Sequence, residues 1–260
     1  DIKERYGDYY LEVYNKKGYY DGLLSRPIGL SEYGIGGAVY QHTEDLEKSR
    51  FSLEVQPEEI QAYCHENWIY QIQQMPYLWG TYVWNMFDFS ADNREEAKNP
   101  GTNTKGLVTK NRKVKKDSFY IYKSYWSHQT VLYINGHNYT TRFRQPKYFK
   151  VYSNCDKVEL FVDGVSLGCL DAKDLPITHA FNWNYTGELI LGEHTVEAVG
   201  VRNGKEYKDV LTITMIEKFS GGEIPAPGEI ENPDDELIAM AEGLPDKLET
   251  LINQMQINSA

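Results

Sequence analysis

Residues 27–37 read PIGLSEYGIGG: a short apolar run that closes on a carboxylate, Glu32, and breaks at a glycine-rich turn from Gly34 to Gly37. The next ordered signal is helical, over residues 57–74. Pro57 suits the first helical position, Glu58 and Glu59 favour the positive end of the helix, and Ile60, Cys64 and Trp68 share a face at i, i+4, i+8. Residues 77–89, YLWGTYVWNMFDF, are β-branched and aromatic and read as a buried strand. A polar loop follows, SADNREEAKNPGTNTKG over 90–106. Residues 117–125 then read as a second helix with Asp117 as its N-cap. Strand, helix, strand, helix is the local grammar of parallel α/β structure.

From about residue 130 the period changes to two. KYFKVYS (147–153) and KVELFV (157–162) alternate as half-buried strands do, and Asp163-Gly164 and Asn203-Gly204 are two-residue hairpin signals. Strands at this spacing with no helices between them suggest a β-sandwich of roughly immunoglobulin type. After residue 218 a linker, SGGEIPAPGEIENPDD, leads to an amphipathic helical tail in which Leu237, Met240, Ala241, Leu244, Leu248 and Leu251 recur at helical spacing. Such a face requires a partner, a homo-oligomer being one option.

The chain has 260 residues, 41% of them hydrophobic and 25% charged, so it can bury a core. No apolar run nears the roughly 20 residues that span a bilayer. No charged-then-apolar leader follows Asp1, so a targeting segment is expected to be removed or absent. The net charge of −11 argues against nucleic acid as a partner. From residue 219 onward nine acids stand against Lys247 alone, so −8 of that −11 belongs to the tail and says little about a substrate. Aromatics at 13% suit the flat C–H faces of sugars and equally suit ordinary cores. Cys64, Cys155 and Cys169 have neither CxxC nor metal-ligand spacing and read as idle thiols, leaving the compartment open.

Three places could carry chemistry. Glu32 stands at the C-terminal end of its strand, the working face of parallel α/β barrels; a glutamate there is either catalytic or a loop cap paired with an arginine. Trp84, Asn85, Phe87 and Asp88 could line a sugar subsite or simply a core. Asn103 and Lys105, two apart on a loop, can point at one anionic or hydroxyl-rich ligand, whereas the following basic run, Lys110 to Lys116, reads as a solvated surface. Asn138-Tyr139-Thr140 matches a glycosylation sequon by pattern. There is no GxSxG elbow, no phosphate-binding or dinucleotide glycine loop and no HExxH, so no metal or cofactor is expected and carboxylate chemistry is left.

LSEYG at 30–34, MPYLWGTYVWNMFDFSADNREE at 75–96 and TKGLVTKNRKVKKDSFYIYKSYW at 104–126, in this order, resemble the C-terminal half of bacterial family 2 glycoside hydrolases, the β-galactosidase and β-glucuronidase group. The likeness runs from near residue 1 to about 217. It implies a multidomain α/β plus all-β architecture: the C-terminal part of a (β/α)8 TIM barrel over 1–128, an immunoglobulin-like β-sandwich over 129–218, and a linker and acidic helical tail over 219–260. It also implies a retaining exo-glycosidase acting on a terminal β-glycoside. One carboxylate forms a covalent glycosyl-enzyme, and a second carboxyl group, about 5–5.5 Å away, serves as acid and then base. By the same resemblance Glu32 is the nucleophile, Tyr9 its hydrogen-bond partner, Trp84 part of the pocket, and Asn103 and Lys105 the Asn-x-Lys pair that contacts the sugar carboxylate in β-glucuronidases of the group. The reading favours β-galactosides over β-glucuronides.

The family's acid/base glutamate follows an asparagine upstream of the nucleophile. Here only Glu4 and Glu12 precede Glu32, after Lys3 and Leu11. A complete barrel takes about 250 residues. The chain is therefore expected to be a fragment that carries the nucleophile without the acid, inactive alone, with the remaining barrel supplied by an upstream segment or companion chain. The competing expectation is a non-catalytic carbohydrate-binding or assembly module.

Overall fold

In the computed structural model the described residues, 28–217, start at strand β1, Ile28–Tyr33. Tyr9, Glu4, Glu12 and the tail lie outside them. Helix α1, Glu58–Gln73, carries the chain over to strand β2, Leu78–Val83, which pairs with β1 in parallel. Parallel neighbours need a long crossover, and α1 provides it. Beyond β2, residues 85–88 run beside residues 105–108. Asn85 N donates to Lys105 O (3.1 Å), Leu107 N to Asn85 O (3.0 Å) and Asp88 N to Val108 O (2.9 Å). Helix α2, Asp117–Trp126, then packs on α1.

Three sequence expectations change here. The run 77–89 is not one buried strand: β2 stops at Val83, and Trp79 and Tyr82 are 65% and 55% exposed. Among the described residues β2 pairs only with β1, and Val83 is the member of β2 that packs against the buried cluster of the helices. The loop expected over 90–106 is a hairpin, β3 (Phe89–Glu96) against β4 (Asn99–Asn103), turning through Ala97 and Lys98, both at positive φ. The N-cap of α2 is Lys116, in extended backbone; Asp117 is the first helical residue. The Asp117 carboxylate accepts from Tyr133 Oη (2.9 Å) and Gly136 N (3.0 Å) instead of closing its own helix.

The rest of the described chain is all β. Strands β5 (Leu132–Ile134), β7 (Tyr148–Ser153) and β10 (Ala180–Asn184) form one sheet, in the order β10-β7-β5. The other sheet runs β6-β12-β11-β8-β9, from β6 (Thr141–Arg142), β8 (Lys157–Val162), β9 (Val165–Asp171), β11 (Gly192–Arg202) and β12 (Lys205–Met215). Both glycine-containing hairpin signals are used. Asp163-Gly164 joins β8 to β9 and Asn203-Gly204 joins β11 to β12, each with both turn residues at positive φ, as the tight right-twisting turn demands. Phe149, Val151, Phe181 and Trp183 from one sheet meet Val158, Leu160, Val196, Leu211 and Ile213 from the other in a single core.

The three-stranded sheet is covered on its other side too. Tyr152 and Ala180 pack with Ala62, Ile69, Ile121 and Tyr122 of the helices. Polar groups cross the same boundary: Lys150 Nζ reaches both oxygens of Glu66 (2.6 and 2.8 Å), Tyr152 Oη donates to Glu66 (2.8 Å), and Arg142 pairs with Glu44 (2.8 Å). Helices, small sheet and large sheet thus form three successive layers.

Candidate active site

Glu32 is placed by a break in register. Leu30 is opposite Thr81 and Tyr33 opposite Val83, so β1 takes three steps where β2 takes two. The extra residue leaves Ser31 and Glu32 both exposed, while Tyr33 turns to the helices and packs edge-on against Trp68 (5.9 Å between centroids). Bulges of this kind re-aim a side chain at the end of a strand. Glu32 has no hydrogen bond or ion pair among the described residues.

Trp84 lies next to it. Its N–H donates to Tyr33 O at 2.7 Å, and Val83 packs with Tyr33 on the helix side. Trp84 directly follows the last residue of β2 and is 43% exposed, with Phe89 edge-on to its ring at 6.0 Å. The Trp84–Asn85 peptide is cis. Gly34 is required by this approach: a β-carbon on it would lie 2.0 Å from Trp84 O.

Lys105 joins the same edge through the Asn85–Lys105 backbone bond. It is half-buried, and its ammonium has no partner among the described residues. Asn103 is different. Only 2% exposed, it accepts from Lys105 N (3.1 Å) through its side-chain oxygen and donates to Glu96 (3.3 Å) through its amide nitrogen. Most of its side chain is thus spent shaping the loop. Glu96, 1% exposed, also accepts from Thr104 N (2.8 Å) and Arg94 (3.1 Å), so the β3–β4 hairpin carries the clamp that holds residues 103–105.

Several residues that hold this region together were not singled out by the sequence. Lys116 ends the basic run expected to be solvated, yet it is fully buried. Its ammonium donates to Gly37 O (2.5 Å), Asp88 Oδ1 (2.8 Å) and Thr104 O (2.9 Å). Burial pushes the Lys116 ammonium down and the Asp88 carboxyl up, and their mutual attraction opposes both shifts. Gln61, also fully buried, donates to Ile35 O (3.0 Å) and Gly106 O (3.2 Å) and accepts from Ser118 (2.9 Å). Nothing local separates Lys116 from its exposed neighbour Lys115. Gln61 and His65, four apart beside the apolar stripe of α1, were the one available signal. The Asn138 sequon amide is engaged by Glu58 (2.9 Å) and Lys115 O (3.3 Å), so it serves the fold. All three cysteines are free thiols, and no metal-binding group of side chains occurs among the described residues.

The chain is related to glycoside hydrolases of the β-glucuronidase and β-galactosidase group, as its motifs imply. A beta-glucuronidase of Bacteroides fragilis is 44% identical over 143 residues, 54% of this chain and 20% of that protein. Beta-galactosidase BoGH2A of Bacteroides ovatus is 28% identical over 141 residues, 54% of this chain and 16% of that protein. The crystal structure of an FMN-binding beta-glucuronidase from Faecalibacterium prausnitzii superposes with a TM-score of 0.67 at 31% identity, over 83% of this chain and 30% of that one. A family model described as "Domain of unknown function (DUF4982)" matches residues 144–208, within the sandwich. The chain therefore spans about a fifth of the curated relatives and under a third of the solved structure.

Proposed function

We propose that this chain supplies the nucleophile side of a retaining exo-β-glycosidase, with Glu32 attacking the anomeric carbon and Trp84 flooring the pocket. The observation that supports the reading is that backbone bonds set Trp84 beside Tyr33 and Lys105 beside Asn85, next to a Glu32 that is exposed and unpaired among the described residues. The parallel runs β1, β2–88 and 105–108, with α1 and α2 on one side, are read as the last units of a (β/α)8 barrel, followed by an immunoglobulin-like sandwich. The second carboxyl group comes from a segment beyond the described residues, and the chain alone is inactive.

For the sugar we propose a β-glucuronide, reversing the preference drawn from sequence alone. Lys105 offers an ammonium with no other described partner, suited to a charge-assisted bond with a uronic carboxylate. The relative with 44% identity is named as a β-glucuronidase. A β-galactoside stays the second reading, favoured by the 28% identical β-galactosidase.

The test combines the chain with a barrel segment carrying the acid/base and assays aryl β-glucuronide and aryl β-galactoside. Glu32→Gln should lower kcat by several orders of magnitude, since no glycosyl-enzyme can form, and a 2-fluoro glycoside should label Glu32 in the parent. Lys105→Met should raise KM for the glucuronide and leave the galactoside unchanged. Label on another side chain, or full turnover with Glu32→Gln, refutes the assignment.

A further inference from the structure

We infer that Lys116 is the positioning residue that sets the mutual placement of the three site-bearing segments, an inference that rests on the glycosidase reading for its functional consequence. An ammonium has three N–H donors. Here each goes to a different segment: Gly37 closes the turn that follows Glu32, Asp88 lies four residues past Trp84, and Thr104 sits between Asn103 and Lys105. No donor is left over and no two go to the same stretch of chain.

The lysine's own backbone is fixed from both sides. Lys116 N donates to Leu107 O (2.9 Å), and Lys116 O accepts from Phe119 N (2.9 Å) in the first turn of α2. The side chain is thus a short strut from a rigid helix start to a point where three loops meet. The loops also bond to one another, Gly37 N to Thr104 O (3.1 Å) and Gly106 N to Asp88 Oδ1 (2.8 Å), so moving one moves the rest. A fully buried charge with one carboxylate and two carbonyls is a costly way to fill space, and an apolar side chain would fill it without binding any loop. Its geometric product is register among Glu32, Trp84 and Lys105, where a displacement of about 1 Å can cost about 100-fold in rate.

Hydrogen exchange on the full chain provides the direct test. In Lys116→Met the amides of Gly37, Asn85, Gly106 and Leu107 should exchange about tenfold faster or more, with those of β11 and β12 unchanged. Equal acceleration in β11 and β12, or none at the four amides, overturns the inference. If the single variant fails to fold, Lys116→Met with Asp88→Asn removes the buried carboxylate's charge as well, and the same selective pattern is expected. In the assembled enzyme, kcat/KM per titrated active site should fall about 100-fold; a lysine that merely supports folding would lower the number of active sites and leave the kinetics of each intact, which would also overturn it. The exchange experiment needs no turnover, so failure of the positioning role and failure of the glycosidase reading give different results.

Discussion

Gly34 illustrates how a single hydrogen atom is required beside Glu32. The chain passes so close to the Trp84 carbonyl that a methyl group on residue 34 would fall 2.0 Å from that oxygen, and neither side can yield while Trp84 N holds Tyr33 O at 2.7 Å. Gly34→Ala should cost about 2–3 kcal/mol, the upper part of the overpacking range, seen as a Tm lowered by about 5–10 °C. Differential scanning calorimetry of the chain checks this. An unchanged Tm would mean that the turn is looser than its contacts indicate. At this scale the sequence marks out exposed Glu32 and Trp84 and buried Asp88 and Asn103, and gives no sign of the buried Lys116 and Glu96. Glu32 stands out by closing an apolar run before a glycine-rich turn, and Trp84 by its place within an aromatic one. Lys116 and Glu96 look like surface charges, because what makes them special is which distant backbone atoms surround them.

Among elements, the helix pair and the sandwich meet through an unusually acidic boundary. Glu58 on α1 accepts from Asp117 N (2.7 Å) and Asn138 (2.9 Å) with one carboxylate oxygen, and the other has no partner among the described residues. Burial, reinforced by the neighbouring Asp117 charge, pushes Glu58 up to about 8; burial and the Glu59 charge push Asp117 up to about 6. The folded state therefore holds protons that the unfolded chain releases near pH 4. That stabilisation is complete below about pH 4 and is lost progressively as pH rises, the Asp117 part by about 6 and the Glu58 part by about 8. Glu58→Gln, which keeps the accepting oxygen, should flatten the fall in Tm between about pH 5 and pH 9; an unaltered slope would assign the pH dependence to other groups. The elements themselves were partly legible. Helix 57–74 and the Asp163-Gly164 and Asn203-Gly204 hairpins follow from local rules that tertiary structure did not override. The β3–β4 hairpin was read as a loop because its turn is Ala97-Lys98, residues that seldom take positive φ. Asp117 was read as a cap because a cap was its nearest use, whereas Tyr133 and Gly136, distant in sequence, claimed its carboxylate.

At the scale of the molecule, the helix pair and the large sheet share one middle sheet. Phe149 and Val151 serve the core between the sheets, while Lys150 and Tyr152, on the same strand, serve the helices. Trp79, Tyr82 and Met86 stay exposed, as befits surface that other barrel strands would cover in the proposed assembly. The doubly used strand has a practical consequence for anyone dissecting the protein. Removing everything after residue 128 would strip Glu66 of Lys150, Glu44 of Arg142 and Asp117 of Tyr133, and would uncover the apolar faces of the helices that Tyr152 and Ala180 pack against. Such a truncation should lose its helical circular dichroism and its soluble yield; a folded product with α1 intact would contradict this. The sandwich is in that sense the keel of the helical half: excision of what looks like an appendage would capsize the part that carries Glu32.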